Sequence, residues 1–304
     1  MGGHNPLGEV LVWLGVSLCV AHPRGRILGG SEAKPHLRPY MASLHEDGKH
    51  LCGGFLIADQ WVLSAAHCRP EQENATLQVL LGAHSLSEPE PSKHFYQVLA
   101  YFLHPGYNDT TAHNDLLLLK LREKVALSQE VKILPFQKVD KDLPAGTICD
   151  VAGWGQISLT GKRPDKLQEV TVQVIGREIC NQRDQYDKEI TENMICAGAR
   201  RKDSCEGDSG GPLVCNGMAE GVVSIGYRKC GNAKKPGVYT RISAYVSWIN
   251  GTMTAACEGE DGGTGHEETS HSQPPADGDH LSPPKGTSSP QSPCRRDAAV
   301  STQE

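Results

Sequence analysis

Aromatic side chains make up only 5% of the 304 residues, and no cluster of Lys and Arg is dense enough to neutralise a row of phosphates. The first shortage argues against a helical bundle with a large aromatic core. The second excludes a nucleic-acid partner. Long apolar runs are missing too: the run from Leu11 to Ala21 is too short to span a bilayer, so no membrane partner is expected. Histidine is absent between His113 and His266, which limits where an imidazole base can come from. By contrast, 33 glycines and 19 prolines are present, the composition of a turn-rich β protein. The 11 cysteines point to an oxidising compartment where disulfides persist.

The charge is unevenly spread. The net charge of -6 resides wholly in the segment from Glu258 onward, which has nine acidic and three basic residues, while the body is balanced. Residues 1–21 read as a secretory signal, with Leu11 to Ala21 as its apolar stretch. Cleavage there leaves His22 to Arg26, a short piece ending at a basic residue. Residues 254–304 read as an acidic, disordered tail rich in Ser, Pro and Gly, too poor in apolar surface to offset its chain entropy. Between the ends, short apolar segments alternate with Gly, Pro, Asn and Asp clusters, among them Met41 to Leu44, Leu51 to Ile57, Leu77 to Leu81, Val170 to Val174 and Gly237 to Thr240. They read as strands of an all-β sandwich or barrel. Only Ala244, Tyr245, Trp248 and Ile249 fall at helical spacing, predicting a single C-terminal helix.

Asp203 to Pro212, Asp-Ser-Cys-Glu-Gly-Asp-Ser-Gly-Gly-Pro, places Ser209 among glycines that leave room for a substrate carbonyl. Backbone amides at Gly207 and Ser209 can face the oxyanion formed on attack. The hydroxyl needs a base, and the upstream candidate is His67 in Leu-Ser-Ala-Ala-His-Cys. Asp115, followed by four leucines, is the carboxylate to orient it. A nucleophile elbow of the α/β-hydrolase kind fits the glycines equally well, but there the acid and histidine follow the serine; here the order is His, Asp, Ser. His45 and His50 are spaced five apart around Gly48, which misses a shared helical face, so a surface hairpin turn is read in place of a metal motif.

These segments, with Ile27-Leu28-Gly29-Gly30, Gly153-Trp154-Gly155 and Lys235 to Thr240, resemble the trypsin-like serine proteases of the chymotrypsin family across residues 27–253. The resemblance implies two six-stranded antiparallel β-barrels with a C-terminal helix, a triad of His67, Asp115 and Ser209, and no metal or other cofactor. It implies a zymogen: cutting after Arg26 frees the amine of Ile27 to pair with Asp208. Asp203 takes the floor of the specificity pocket, with Ser224, Gly226 and Gly237 in its walls, implying cleavage after Arg or Lys. It also pairs Cys52 with Cys68, Cys149 with Cys215, Cys180 with Cys196 and Cys205 with Cys230. Three sequons, at Asn74, Asn108 and Asn250, suit a secreted, extracellular and monomeric glycoprotein.

Several surface stretches, including Arg24 to Gly30, Leu80 to Ser87 and Pro89 to Lys93, resemble the complement-activating branch of the family. That likeness implies complement factor B, held by an activated complement component, as the substrate. It also implies a resting state in which Arg228 pairs with Asp203. The other readings are a generic trypsin-like or granzyme-like protease and a catalytically silent binding homologue.

Overall fold

The computed structural model describes residues 30–70, 72, 75–157, 161–199, 206–224 and 235–261. The expected signal and activation segments, Ile27, Asn74, Asp203, Cys205, Gly226, Arg228, Cys230 and the tail beyond Asp261 lie outside those residues.

A two-residue strand β1 (Ser31–Glu32) precedes two barrels. The first is built from β2 (Met41–Glu46), β3 (Lys49–Ala58), β4 (Trp61–Ser64), β5 (Leu77–Leu81), β6 (His94–Leu103) and β7 (Leu117–Leu121). These close in the order β2-β3-β4-β7-β6-β5, every pairing antiparallel. The second comprises β8 (Ile148–Gly153), β9 (Gln168–Ile175), β10 (Met194–Gly198), β11 (Pro212–Cys215), β12 (Met218–Val223) and β13 (Gly237–Arg241). It closes because β9 pairs with β8 as well as with β10, and β1 adds to its outside along β9. The expected pair of six-stranded barrels is therefore present.

Local sequence explains the hairpins. Asp47 and Gly48 both have positive φ, 49° and 77°, as do Asn216 and Gly217, 52° and 79°. Two such residues form the turn whose twist matches antiparallel strands, and Asp-Gly and Asn-Gly tolerate it best. β9 shows the period of two that buries one face, with Val170, Val172 and Val174 inward and the intervening residues at least partly exposed. The first core holds Leu44, Phe55, Leu63 and Leu81, and the second Val151, Val172, Leu213 and Tyr239.

A one-turn helix α1 (Arg177–Cys180) precedes β10. The C-terminal helix α2 (Val246–Asp261) follows a short 3-10 turn, buries Ile249 and packs Trp248 and Met253 onto the first core. It continues past Met253. Lys120 of β7 donates to its Ala256 carbonyl at 3.0 Å. Three disulfides, Cys52–Cys68, Cys149–Cys215 and Cys180–Cys196, join as the family resemblance implied.

Candidate active site

His67 sits on a 3-10 turn, Ala66–Cys68, directly after β4. The bridge from Cys68 to Cys52 on β3 fixes the backbone that carries it. Asp115 lies just before β7 and is wholly buried. Its carboxylate is nonetheless well supplied with donors. Oδ1 accepts the His67 backbone N–H at 3.0 Å, and Oδ2 lies 2.8 Å from His67 Nδ1 and accepts the Ser224 hydroxyl at 2.5 Å. A carboxylate facing Nδ1 places the ring proton there, leaving Nε2 with its lone pair, as a general base requires. Thr240 donates to the Asp115 carbonyl at 3.2 Å. One residue earlier, Asn114 has φ 56°, and its side chain accepts from Tyr245 Oη at 2.8 Å and donates to the Gly106 carbonyl at 2.7 Å. The first barrel thus carries the imidazole and the carboxylate, while Ser224, Thr240 and Tyr245 reach across from the C-terminal half.

Ser209 lies in the loop before β11. Its carbonyl accepts from Gly53 N–H on β3 at 2.8 Å, and the Gly210 N–H donates to Val223 at 2.8 Å. The serine loop is therefore strung between both barrels. Gly210 has φ 82°, and a Cβ there would collide with Ser64 Oγ and the Gly53 carbonyl, so glycine is required twice over. Asp208 is fully buried and accepts the Gly155 N–H at 2.8 Å. Side chains at Gly153 or Gly155 would run into the Asp208 carboxylate, which explains the Gly-Trp-Gly motif as the wall of that aspartate's chamber.

One part of the site departs from its reading in the sequence. Ser43 and His45 alternate along β2, on the same face as His50 of β3. Ser43 Oγ lies 2.7 Å from His50 Nδ1 and 2.9 Å from His45 Nε2, and His50 Nε2 lies 3.1 Å from the Gly207 carbonyl. That carbonyl only accepts, so the His50 proton is on Nε2; the Ser43 hydroxyl then donates to Nδ1 and accepts from His45. The expected hairpin turn is present at Asp47 and Gly48, but it is not a surface feature at the histidines: His45 is buried and His50 half-buried. Burial is the main cause that pushes His50 down to about 4. The only sequence signal was the i, i+2 spacing of Ser43 and His45 on a buried strand face.

Among the described residues, the one trio of ligand atoms close enough to share a metal ion is Cys52, His67 and Cys68, and both sulfurs are consumed by their disulfide. In the loop from Gly82, the Glu90 carboxylate accepts the N–H groups of His84 and Ser85, and the Lys93 ammonium donates to the carbonyls of Leu86 and Glu88 at 3.0 and 2.7 Å. Asn108 and Asn250 are exposed. Asn108 Oδ1 also accepts the N–H groups of Thr110 and Thr111 at 3.0 Å each.

The trypsin family model matches residues 27–249. Serine protease 57 of Rattus norvegicus is 42% identical over 243 residues, covering 79% of this chain and 85% of that protein. Mast cell protease 3 of Ovis aries is 44% identical, covering 78% and 92%, and duodenase-1 of Bos taurus 45% identical, covering 75% and 90%. The solved structure of neuropsin, a serine protease expressed in the limbic system of mouse brain, superposes with a TM-score of 0.68 at 38% identity, covering 75% of this chain and all of that one. Serine protease 57, mast-cell protease and duodenase support the broader protease reading and lend no specific support to the complement-activating expectation.

Proposed function

The chain belongs to the trypsin family of serine proteases and is a serine endopeptidase, and on that premise we propose that it cuts after arginine or lysine with His67, Asp115 and Ser209 as its catalytic residues. The observation that carries this reading is the enclosure of Asp115, whose two oxygens are fixed by His67 and Ser224. Ser209 Oγ attacks the substrate carbonyl carbon while its proton passes to His67 Nε2. The imidazolium is stabilised by Asp115, and the new oxyanion takes hydrogen bonds from the N–H groups of Gly207 and Ser209. His67 then gives that proton to the leaving amine as the C–N bond breaks. Water attacks the acyl-enzyme by the same route, returning the proton to Ser209. Asp203, with Ser224, Gly226 and Gly237, supplies the acidic pocket that receives the substrate's Arg or Lys, and cutting after Arg26 supplies the Ile27 amine for Asp208.

The relatives favour a mast-cell or granzyme-like enzyme, secreted or held in granules and acting on protein substrates without an assembled cofactor. The surface stretches that resemble complement factor D leave a narrower second reading, in which complexed factor B is cut and Arg228 restrains Asp203 at rest. One experiment separates them. One portion of the chain cut after Arg26 is reacted with an arginyl phosphonate, and a separate, unreacted portion is offered arginyl, lysyl and leucyl peptides and free or complexed factor B. Labelling that Ser209→Ala abolishes, with ready turnover of basic peptides, supports the broad reading. Cutting of complexed factor B alone supports the narrow one, and a chain that neither labels nor cuts any of these substrates overturns both.

A further inference from the structure

A charged pair lies beside the serine loop and takes no part in the mechanism above. Arg163 donates through Nη1 to the His50 carbonyl at 3.3 Å and through Nη2 to Glu206 Oε1 at 3.1 Å. Its guanidinium carbon is 3.6 Å from the point where a side chain on Gly207 would begin. Arg163 thus flanks Gly207, beside the peptide whose N–H is proposed to face the oxyanion.

The path of the substrate places this pair. The acyl half sends its side chain toward Ser224 and Gly237 on the second barrel. His67 must protonate the leaving amine, so the leaving half departs along the first barrel, past the Cys52–Cys68 bridge and His50. Arg163 is tied to His50 on that side. Resting on the proposed reaction, we propose that Arg163 and Glu206 form a charge-selective subsite for the leaving half, favouring an acidic side chain in the first two residues after the cut bond.

The choice of acid over base follows from how unequally the partners are held. The Arg163 side chain is 38% exposed and anchored by the His50 carbonyl, whereas that of Glu206 is 70% exposed and its carboxylate is held by Arg163. An exposed pair of this kind contributes about 0–1 kcal/mol, so it exchanges readily. A substrate carboxylate displaces Glu206 into water and takes Nη2 while Nη1 keeps the His50 carbonyl. A substrate ammonium has to compete with a fixed guanidinium for Glu206 and meets its repulsion. Arg163 and Glu206 are therefore expected to shift selectivity in opposite directions.

The test uses the activated full chain and internally quenched peptides with arginine before the bond and Asp, Ala or Lys at the two positions after it, at low ionic strength. The expected Asp-to-Lys ratio of kcat/KM is about tenfold. Arg163→Ala brings it toward one, with Arg163→Gln used if the alanine variant melts early, and Glu206→Gln raises it severalfold. A flat ratio in the unaltered chain, or one indifferent to Arg163, overturns the subsite while leaving the protease reading intact. If a residue other than arginine is preferred before the bond, the pocket reading fails and the same ratio is read on that residue. A chain that labels with the phosphonate but cuts none of the peptides overturns the subsite and the broad reading, and one that neither labels nor cuts any substrate overturns the protease reading as well.

Discussion

The two barrels hold their site groups by different means. The first places His67 and Asp115 at strand ends, where a disulfide and buried hydrogen bonds fix them. The second offers Ser209 on a loop whose carbonyls at Gly207 and Ser209 are held by His50 and Gly53 of the first. The proposed proton relay is thus anchored within one barrel and trimmed by a hydroxyl from the other, whereas the loop of the proposed nucleophile takes its shape from contacts between barrels. Damage to the relay should abolish chemistry and spare the fold; damage to the loop should cost both.

Asp115→Asn tests the first half of that contrast most severely. It removes the charge and the acceptor that fixes the Nδ1 proton, and kcat should fall about 10⁴-fold, the loss known for this exchange in the family. The melting temperature should move little. A variant that unfolds would erase the distinction between the barrels. Gly210→Ala addresses the other half: forced φ plus collision with Ser64 and Gly53 should cost about 3 kcal/mol in urea titration and activity with it. Tolerance of alanine there would show that the loop does not depend on the close approach.

The cross-barrel contact also carries a pH dependence with a defined sign. His50 titrates at about 4 in the folded chain, below its ordinary value, mainly through burial, with like charge from Arg163 and His45 adding to the effect and the Gly207 carbonyl opposing it. The unfolded chain therefore binds more protons between these values, and stability falls as pH drops from about 6.5 to about 4, by up to about 3 kcal/mol. His45 is shifted the same way, chiefly by burial, with Lys93 adding to it. Denaturant midpoints for His50→Gln should show a shallower slope over that window; an unchanged slope would assign the acid sensitivity elsewhere. The smallest effect is expected for Tyr245→Phe, which loses one hydrogen bond to Asn114, costs about 1 kcal/mol, and lowers kcat slightly with KM unmoved.

Much of this was legible in the residues. Turn chemistry gave the β class, since Asp47-Gly48 and Asn216-Gly217 form the hairpins their identities favour. The order His67, Asp115, Ser209 separated two hydrolase architectures that the glycines alone left open. β6 escaped because its outward residues Phe95, Leu99 and Tyr101 are as apolar as its inward ones, so no alternation marks the strand. β10 escaped because Met194–Gly198 is short and ends in small residues whose partners are 20 or more positions away, on β9 and β13. The Ser43, His45 and His50 chain was unreadable for a related reason: its end point is a carbonyl 157 positions from His50, and only closure of the barrels brings the two together. Arg163 likewise had no local pattern to distinguish it from any solvent-facing cation.

The short strand β1 has a consequence for the timing of activity. Glu32 pairs with Gln168, which pairs in turn with Gly153, whose neighbouring space is filled by Asp208. Two strand spacings, about 10 Å, therefore separate that mooring from the buried carboxylate. Ile27 stands five residues before Glu32, so the proposed amine can reach at most about 18 Å from that mooring. An amine created three positions downstream would reach at most about 7 Å and fall short of the chamber. Trimming by an aminopeptidase would then silence the molecule without touching any group that performs the reaction.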